Sequence, residues 1–430
     1  MFGSQAIFVG GGGMTSNSNR PLRICMISYR SNPHCGGQGV YVRNLASALT
    51  DLGHHVEVVA GPPDPLLHFP AKLTMLDCLD LYNPENPFRV PTASELKNPI
   101  NLMEWLSIST MGYPEPETFG YRAYGHLKNR VHEFDIIHDN QSLSYGVWAL
   151  SRLVPTVATI HHPITRDRQI AVKSVRSFWK KLKHLRWYSF INMQKRVVKR
   201  LPKFITVSDF SKGDILEEFN VPGDRFHVVP NGINTELFYP LPHIQREPNR
   251  LIVTNSADQA LKGLYYLLQA VHAISKEREI RLTVIGTPKE GGGIEKLVKK
   301  LDIGHLIDFT GRVSNEEFRE HYAKASIAVV PSVYEGFGLP VGEAMASGIP
   351  VISTTGGALP EVAGDAALMV PPQNPEALAE AICELLDNPE KAKELGEAGY
   401  KRVQEQFTWK NAAEQTVAAY REAIRDHRKI

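Results

Sequence analysis

The chain is expected to fold as an α/β protein made of two doubly wound units, and three observations carry that expectation. Its 430 residues are too many for one ordinary core and suit two domains of about 200 residues each. A strand, a glycine loop, a helix and a second strand follow one another from Arg23 to Val59, and the same order returns from Ile327 to Ser353. Alternating units of this kind imply parallel sheets with helices on both faces. Apolar content of 43% and charged content of 22% are those of a globular protein. A net charge of +2 decides little, because the charge is unevenly spread. Four cysteines, Cys25, Cys35, Cys78 and Cys383, lie far apart with no CxxC, which points to a reduced, cytoplasmic protein. No run approaches 18 apolar residues, so no membrane span is expected. Residues 1–20 hold GGGG and then TSNSN, with neither a basic start nor a long apolar core. They read as a flexible leader rather than a secretory signal, with Met14 a candidate start.

In chain order, RICMISY at 23–29 reads as a buried strand. The glycine loop HCGGQG at 34–39 follows, then a helix from Val40 to Leu52 and a strand at Val56–Val59. A dinucleotide-binding unit would place GxGxxG here and a carboxylate at the tip of the second strand. The glycines instead fall as GGxG and the strand ends Val59-Ala60-Gly61, which argues against NAD. Residues 62–125 are proline-rich and too long for an ordinary connection, so they are either functional or partly helical. Strands resume at Asp135–His138 and Val154–His161.

Residues 166–203 hold thirteen Lys or Arg and one acid, Asp167. Val175, Phe178, Leu182 and Leu185 recur at helical spacing, with Trp179, Trp187, Tyr188 and Phe190 nearby. A basic amphipathic helix with interfacial aromatics suits an anionic membrane surface, with Trp179, Lys180, Lys181, Lys183 and Arg186 as contact residues. The alternatives are a solvated helix face whose apolar stripe enters the core, or a groove for a soluble anionic acceptor. Nucleic acid is not expected, since no binding motif accompanies the charge.

FITVSDFSKGDI at 204–215 reads as a strand, a cap at Ser208 or Asp209, and a helix. A further strand ends in an Asn-Gly turn at 231–232, and the proline-rich 240–248 suits a linker. The second half then restarts with strands at 251–255, 281–286 and 307–311 and helices from Gly263 and Asn315. The stretch 329–355, VVPSVYEGFGLPVGEAMASGIPVISTT, centres this half. Its loop leaves a strand's carboxyl end, where open parallel sheets bind ligands. Pro340 suits the first helical position, and Gly348 the residue just past the helix. Glu335 and Glu343 bracket that loop. Carboxylates accept from sugar hydroxyls, and main-chain amides at a helix start donate to a diphosphate, so a sugar nucleotide fits. The plain alternative is a surface βαβ unit with solvated glutamates. A retaining hydrolase pair needs carboxylates about 5 Å apart. Eight residues of helix span roughly 12 Å, which makes that rival weak.

EGFGLPVGEAMASG, together with GGQGVYVRNLASAL at 36–49, resembles the E-x7-E and first-loop signatures of retaining family-4 glycosyltransferases, over about residues 22–425. The resemblance implies a GT-B fold, two facing Rossmann-like domains with the active site in the cleft. The first domain would cover 21–235 on the acceptor side and the second 236–408 on the nucleotide-sugar side, with a final helix, 409–430, crossing back to the first. Residue by residue it implies that Glu335 contacts donor-sugar hydroxyls, with Gly336, Phe337, Gly338 and Leu339 nearby. Glu343 would hold the ribose, and Gly37 and Gly39 would sit by the phosphates. It also implies that His161 binds the sugar, with His162 as the alternative, and that Lys262 neutralises the leaving diphosphate. Gly311-Arg312-Val313 resembles the base-reading turn, although a solvated Arg312 reads equally well. The arginine that usually precedes the lysine is replaced in NSADQALKG by Ser256 or Ala257, and the Ser256 hydroxyl is one substitute.

The expected function is transfer of a hexosyl group, with retention, from a nucleotide sugar, UDP-linked by family habit. The expected acceptor is a lipid or lipid-linked glycan at the cytoplasmic membrane face. No cofactor or metal is expected, since D-x-D is absent from the sequence and helix starts and cations suit the diphosphate. The other class is a non-catalytic sugar-nucleotide-binding or scaffolding relative, which the missing arginine keeps open.

Overall fold

In a computed structural model the described residues are 20–32, 37–67, 70–83, 86, 89–173, 175, 177–254 and 259–429. They form two parallel sheets. The first holds β1 (Arg23–Ser28), β2 (His55–Ala60), β3 (Lys72–Met75), β4 (Ile136–Asn140), β5 (Thr156–Ile160), β6 (Lys203–Thr206) and β7 (Phe226–Val228), in the order β3-β2-β1-β4-β5-β6-β7. The second holds β8 (Arg250–Thr254), β9 (Arg281–Ile285), β10 (Ile307–Phe309), β11 (Ile327–Val330), β12 (Val351–Thr354) and β13 (Leu368–Val370), in the order β10-β9-β8-β11-β12-β13. The central strands are buried on both faces because helices cover both sides, so they read as unbroken apolar runs rather than alternating ones. The architecture is the expected α/β pair of Rossmann-like domains.

Both sheets wind outward from an inner strand in two directions. In the first, the chain leaves β1 toward β2 and later returns to β4 on the other side. In the second, β8 pairs with both β9 and β11. The connections from β1 and β4, and from β8 and β11, therefore go to opposite sides of their sheets, and the carboxyl edge at such a switch point is where ligands enter folds of this kind.

The last helix, Trp409–His427, packs on the first sheet rather than the second. Ala412, Ala413, Val417, Tyr420 and Ala423 join the core of β1, β2 and the helix Gly37–Asp51. The Tyr420 hydroxyl meets His138 Nδ1 at 2.5 Å, and His138 Nε2 lies 2.6 Å from Thr159 Oγ1. Burial pushes the His138 imidazole down to about 3, so it is a neutral link in the core.

Two stretches gain detail that composition could not supply. The proline-rich connection contains β3 and two helices, Pro99–Ser109 and Glu115–Leu127. The basic stretch is not one helix but three, Ile164–Lys173, Phe178–Trp187 and Ile191–Val198. The last of these buries Ile191, Met193, Val197 and Val198 in the core, whereas the middle one buries no residue.

Candidate active site

The carboxyl edge of the second sheet brings the acidic loop and the lysine together. β8 and β11 are neighbours, and residues 261–263 lie alongside residues 331–333 at the ends of these strands. Val333 N–H donates to the Leu261 carbonyl at 2.7 Å, clamping one segment to the other. Gly263 follows with φ +70°, and a Cβ there would lie 1.8 Å from the Pro331 carbonyl oxygen, so only glycine permits this approach. The clamp delivers Lys262 Nζ to 2.6 Å from Glu335 Oε1, and Ser332 Oγ donates to the same oxygen at 2.9 Å. Glu343 lies on the following helix, Leu339–Ala346, with one edge still reaching solvent. Burial pushes its carboxyl up to about 7, with Lys262 pulling it back and Glu335 adding repulsion. One cation and two carboxylates thus share a single electrostatic neighbourhood.

The first sheet supplies the facing edge. Asn140 ends β4, and its Nδ2 donates to the Gln38 carbonyl and to Ser28 Oγ, both at 3.2 Å. Its Oδ1 is therefore the acceptor for His161 Nε2–H at 2.9 Å. That assignment leaves the lone pair on His161 Nδ1. Burial pushes the ring down to about 3, with His162 and His138 adding to it, so the imidazole is neutral. Tyr41 packs edge-on against it with ring centres 4.7 Å apart. Gly37 is exposed at the first turn of the helix Gly37–Asp51. Gly39 is buried, and a Cβ there would strike the Asn32 carbonyl at 1.9 Å, so it seats the helix instead of meeting solvent.

The two edges touch. Gly336 lies so close that a Cβ would sit 3.0 Å from the His161 carbonyl oxygen. Ser208 Oγ and Ser211 Oγ both donate to the Gly336 carbonyl, at 2.7 and 2.8 Å. The Glu361 carboxylate accepts from Asp209 N–H and Phe210 N–H at the start of the helix Asp209–Phe219. On that helix Asp214 accepts from Tyr334 at 2.8 Å and from Arg166 at 2.9 Å. The loop carrying Glu335 is thus held by groups from both sheets.

Of the residues singled out in the sequence, Lys262, Glu335, Gly336 and Glu343 converge, with His161 against them. Phe337 is buried in the core of the second domain, Gly338 starts the helix with φ +104°, and Leu339 and Pro340 form its first turn. Arg312 is exposed in the turn after β10, at the same sheet edge, with Val313 part-buried beside it. Ser256 and Ala257 lie outside the described residues, as does Cys35. Cys25, Cys78 and Cys383 are free thiols. His162 points elsewhere than His161 and pairs with Asp167 at 2.8 Å. Asn140, Ser208, Ser211, Asp214, Tyr334 and Glu361 carry geometry that the sequence reading missed as site residues. For Asn140 a signal existed, since it closes a buried strand at the ligand-bearing edge. Among the described residues, no three His, Cys, Asp or Glu side chains gather as metal ligands would.

In the basic stretch, Phe178 and Trp179 are 70% and 75% exposed, with Leu182, Leu185, Lys180 and Lys183 also exposed and Lys181 part-buried. Arg186, expected with them, is part-buried and hydrogen-bonded within the first domain. Its guanidinium donates to Thr110 Oγ1 and Ser189 Oγ, both at 2.9 Å, and reaches Ser107 Oγ, tying its helix to Pro99–Ser109.

Residues 35–237 match the Glycosyltransferase Family 4 family, and residues 242–402 match Glycosyl transferases group 1. The chain is 45% identical over 408 residues to an MMP alpha-(1->4)-mannosyltransferase of Mycolicibacterium hassiacum, covering 94% of this chain and 98% of the relative. Sucrose-phosphate synthase from Thermosynechococcus elongatus superposes with a TM-score of 0.71 at 25% identity, over 94% of this chain and all of the other. WaaG, a glycosyltransferase involved in lipopolysaccharide biosynthesis, shares the fold with a TM-score of 0.64 at 18% identity, over 92% and 98% of the two chains. The chain therefore belongs to the GT-B glycosyltransferases that join a Glycosyltransferase Family 4 domain to a Glycosyl transferases group 1 domain.

Proposed function

We propose that the protein transfers a mannosyl group, with retention and without a metal, from a nucleoside diphosphate mannose to a saccharide hydroxyl. The observation that carries this reading is the meeting of Lys262, Glu335 and Glu343 at the crevice of the second sheet, against His161. The mannosyl specificity is supported by the relative that is 45% identical. Lys262 and the helix start at Gly37 stabilise the diphosphate as negative charge develops on it. Glu335 accepts from hydroxyls of the transferred sugar, with the Nδ1 lone pair of His161 as a second acceptor. Glu343 holds the ribose hydroxyls. The bond from the anomeric carbon to the phosphate oxygen breaks and the bond to the acceptor oxygen forms on the same face. The acceptor's proton passes to the departing phosphate, so no protein nucleophile is needed.

The test is a thermal-shift comparison of UDP-, GDP- and ADP-mannose with the matching glucose compounds. A ligand at 100 times its Kd adds about 2.7 kcal/mol of stability, which is readily seen. One nucleotide should stand out, mannose should be favoured over glucose, and slow release of nucleoside diphosphate should follow without acceptor. EDTA should leave turnover within about twofold. Stabilisation without any release would favour a non-catalytic binding relative, and no stabilisation by any compound would sink the proposal.

Glu343 makes nucleotide binding depend on pH. Its folded carboxyl lies at about 7, above the ordinary 4.5, so its contribution to stability is complete below about 4.5 and fades as pH rises through 7. Binding should do the opposite, because the ionised form accepts ribose hydroxyls. Between pH 6 and 8 the ionised fraction rises from roughly 10% to 90%, so affinity should increase about ninefold. Titration calorimetry at both pH values checks this, and Glu343→Gln should flatten the dependence.

A second element of the reading concerns the surface of the helix Phe178–Trp187, where exposed Phe178 and Trp179 stand beside Lys180 and Lys183. We propose that this face rests on an anionic membrane, each basic residue contributing roughly 1 kcal/mol. No helix among the described residues is long and apolar enough to cross a membrane, so contact would be peripheral. Anionic vesicles should retain the protein at low salt and release it as salt rises, and neutral vesicles should bind poorly. Lys180, Lys181 and Lys183 changed together to glutamine should abolish retention while circular dichroism is unchanged. Equal retention on neutral and anionic vesicles would refute the contact.

A further inference from the structure

Resting on the transferase reading, we infer that the acceptor site is the cavity between the basic stretch and the second domain, and that it takes a saccharide through an aromatic wall and one carboxylate, Asp167. The cavity measures about 470 Å³, within the range of small-molecule sites. Tyr113, Trp187, Tyr188 and Phe190 line it from the first domain, with residues 259–261 of the second domain opposite. The rings make a continuous wall. Tyr113 stacks on Trp187 with centres 5.1 Å apart and meets Phe190 at 5.5 Å, and Tyr188 lies 6.4 Å from Phe190.

Position ties this cavity to the reacting groups. Its second-domain side ends at Leu261, which accepts the Val333 N–H and directly precedes Lys262. Lys262 and Glu335 do not themselves line the cavity, so a molecule held there would approach the pair from the Leu261 side, the direction from which an acceptor hydroxyl would come.

Chemistry names the class of molecule. A pyranose ring has one face of C–H groups and a rim of hydroxyls. Aromatic faces carry negative partial charge and suit the polarised C–H groups. Asp167 accepts from hydroxyls, and its Oδ2 is oriented by His162 Nε2 at 2.8 Å. Both side chains of this pair remain about one-third exposed, so they are reachable from the cavity. Asp167 is also the lone acid among the thirteen basic residues of 166–203. Those bases do not reach the cavity: among the described residues its lining holds Asp167 and no Lys or Arg, so it favours hydroxyl-rich, uncharged ligands over phosphates, which the carboxylate would repel.

The experiment uses the full chain with α-(1→4)-linked mannose oligosaccharides of two to four units, and maltose oligosaccharides of the same lengths for comparison. Binding is read by saturation-transfer NMR and calorimetry at saturating nucleoside diphosphate. Asp167→Asn and Tyr188→Leu should each raise the saccharide Kd at least tenfold while the nucleotide-induced rise in Tm stays unchanged. Trp187 is left alone, because it packs on Tyr82 and Tyr113 and its loss could disturb the fold. Unchanged saccharide affinity in both variants overturns the assignment, as does a wild-type chain that binds nucleotide but no saccharide. If no nucleotide raises Tm, the transferase reading fails instead. Saccharide binding that Asp167→Asn abolishes would still support the cavity.

Discussion

Glu335→Gln should lower transfer at least about 100-fold while the affinity for nucleoside diphosphate stays within about twofold. The substitution keeps the side chain's shape, and Ser332 Oγ can still donate to an amide oxygen, so the loop should stay folded. What changes is charge. A carboxylate offers about four acceptor positions and strengthens each hydrogen bond it receives, whereas a neutral amide offers one oxygen and turns two donors toward the sugar. Losing a charge-assisted bond of up to about 3 kcal/mol at the reacting sugar corresponds to a factor of roughly 100 in rate. In the proposed reading the nucleotide is held by Lys262, Glu343 and the helix start, which the substitution leaves in place. Steady-state transfer alongside nucleotide calorimetry separates the two effects. Full turnover in this variant would remove Glu335 from the chemistry.

Lys262→Ala should act on both quantities. Its expected partner is the diphosphate, so nucleoside diphosphate affinity should fall roughly 10- to 100-fold, about 1.4 to 2.7 kcal/mol. Turnover should fall further, because the charge on the leaving group grows as the bond breaks. The pair with Glu335 is 28% and 13% exposed on its two sides, so solvent screens it in part, and its loss should cost about 1–3 kcal/mol of stability. Lys262→Arg should restore part of the nucleotide affinity, since a guanidinium also binds phosphate, although its planar fork will not match the same geometry. Removing Lys262 also removes the cation that holds the Glu343 carboxyl down. The pH at which nucleotide binding strengthens should therefore move upward in Lys262→Ala. If nucleoside diphosphate affinity is unchanged, another group holds the diphosphate.

The sequence shows clearly those features that are contiguous. The segment 327–355 could be read as strand, loop, helix and strand because each signal lies within a few residues of the next. Ile327–Val330 is apolar throughout because both its faces are covered, Pro340 falls in the first helical turn, and Gly348 follows the helix with φ +66°. The doubly wound class followed from repeating such units, and a helix cap at Ser208 or Asp209 was legible, which the structure places at Ser208. A basic composition was equally visible in 166–203. The sequence did not reveal that the stretch divides into three helices, or that Arg186 faces another helix while Trp179 faces solvent.

Lys262 and Glu335 lie 73 positions apart and meet because β8 and β11 are neighbours, a strand order that no local pattern encodes. The same holds for the second role of Ser208. Its hydroxyl caps its own helix and also donates to Gly336, 128 positions away, only because the two sheets face each other. The sequence favoured His161 at a strand end only through the family resemblance and kept its neighbour His162 as the alternative. Packing separated them, one enclosed against Tyr41 and Asn140 and the other paired with Asp167 at the cavity. Periodicity, caps and turn residues act over a few positions, so the sequence alone determined the elements and their class. Which side chains share a site depends on how whole surfaces of two domains pack, and only the tertiary structure decided that.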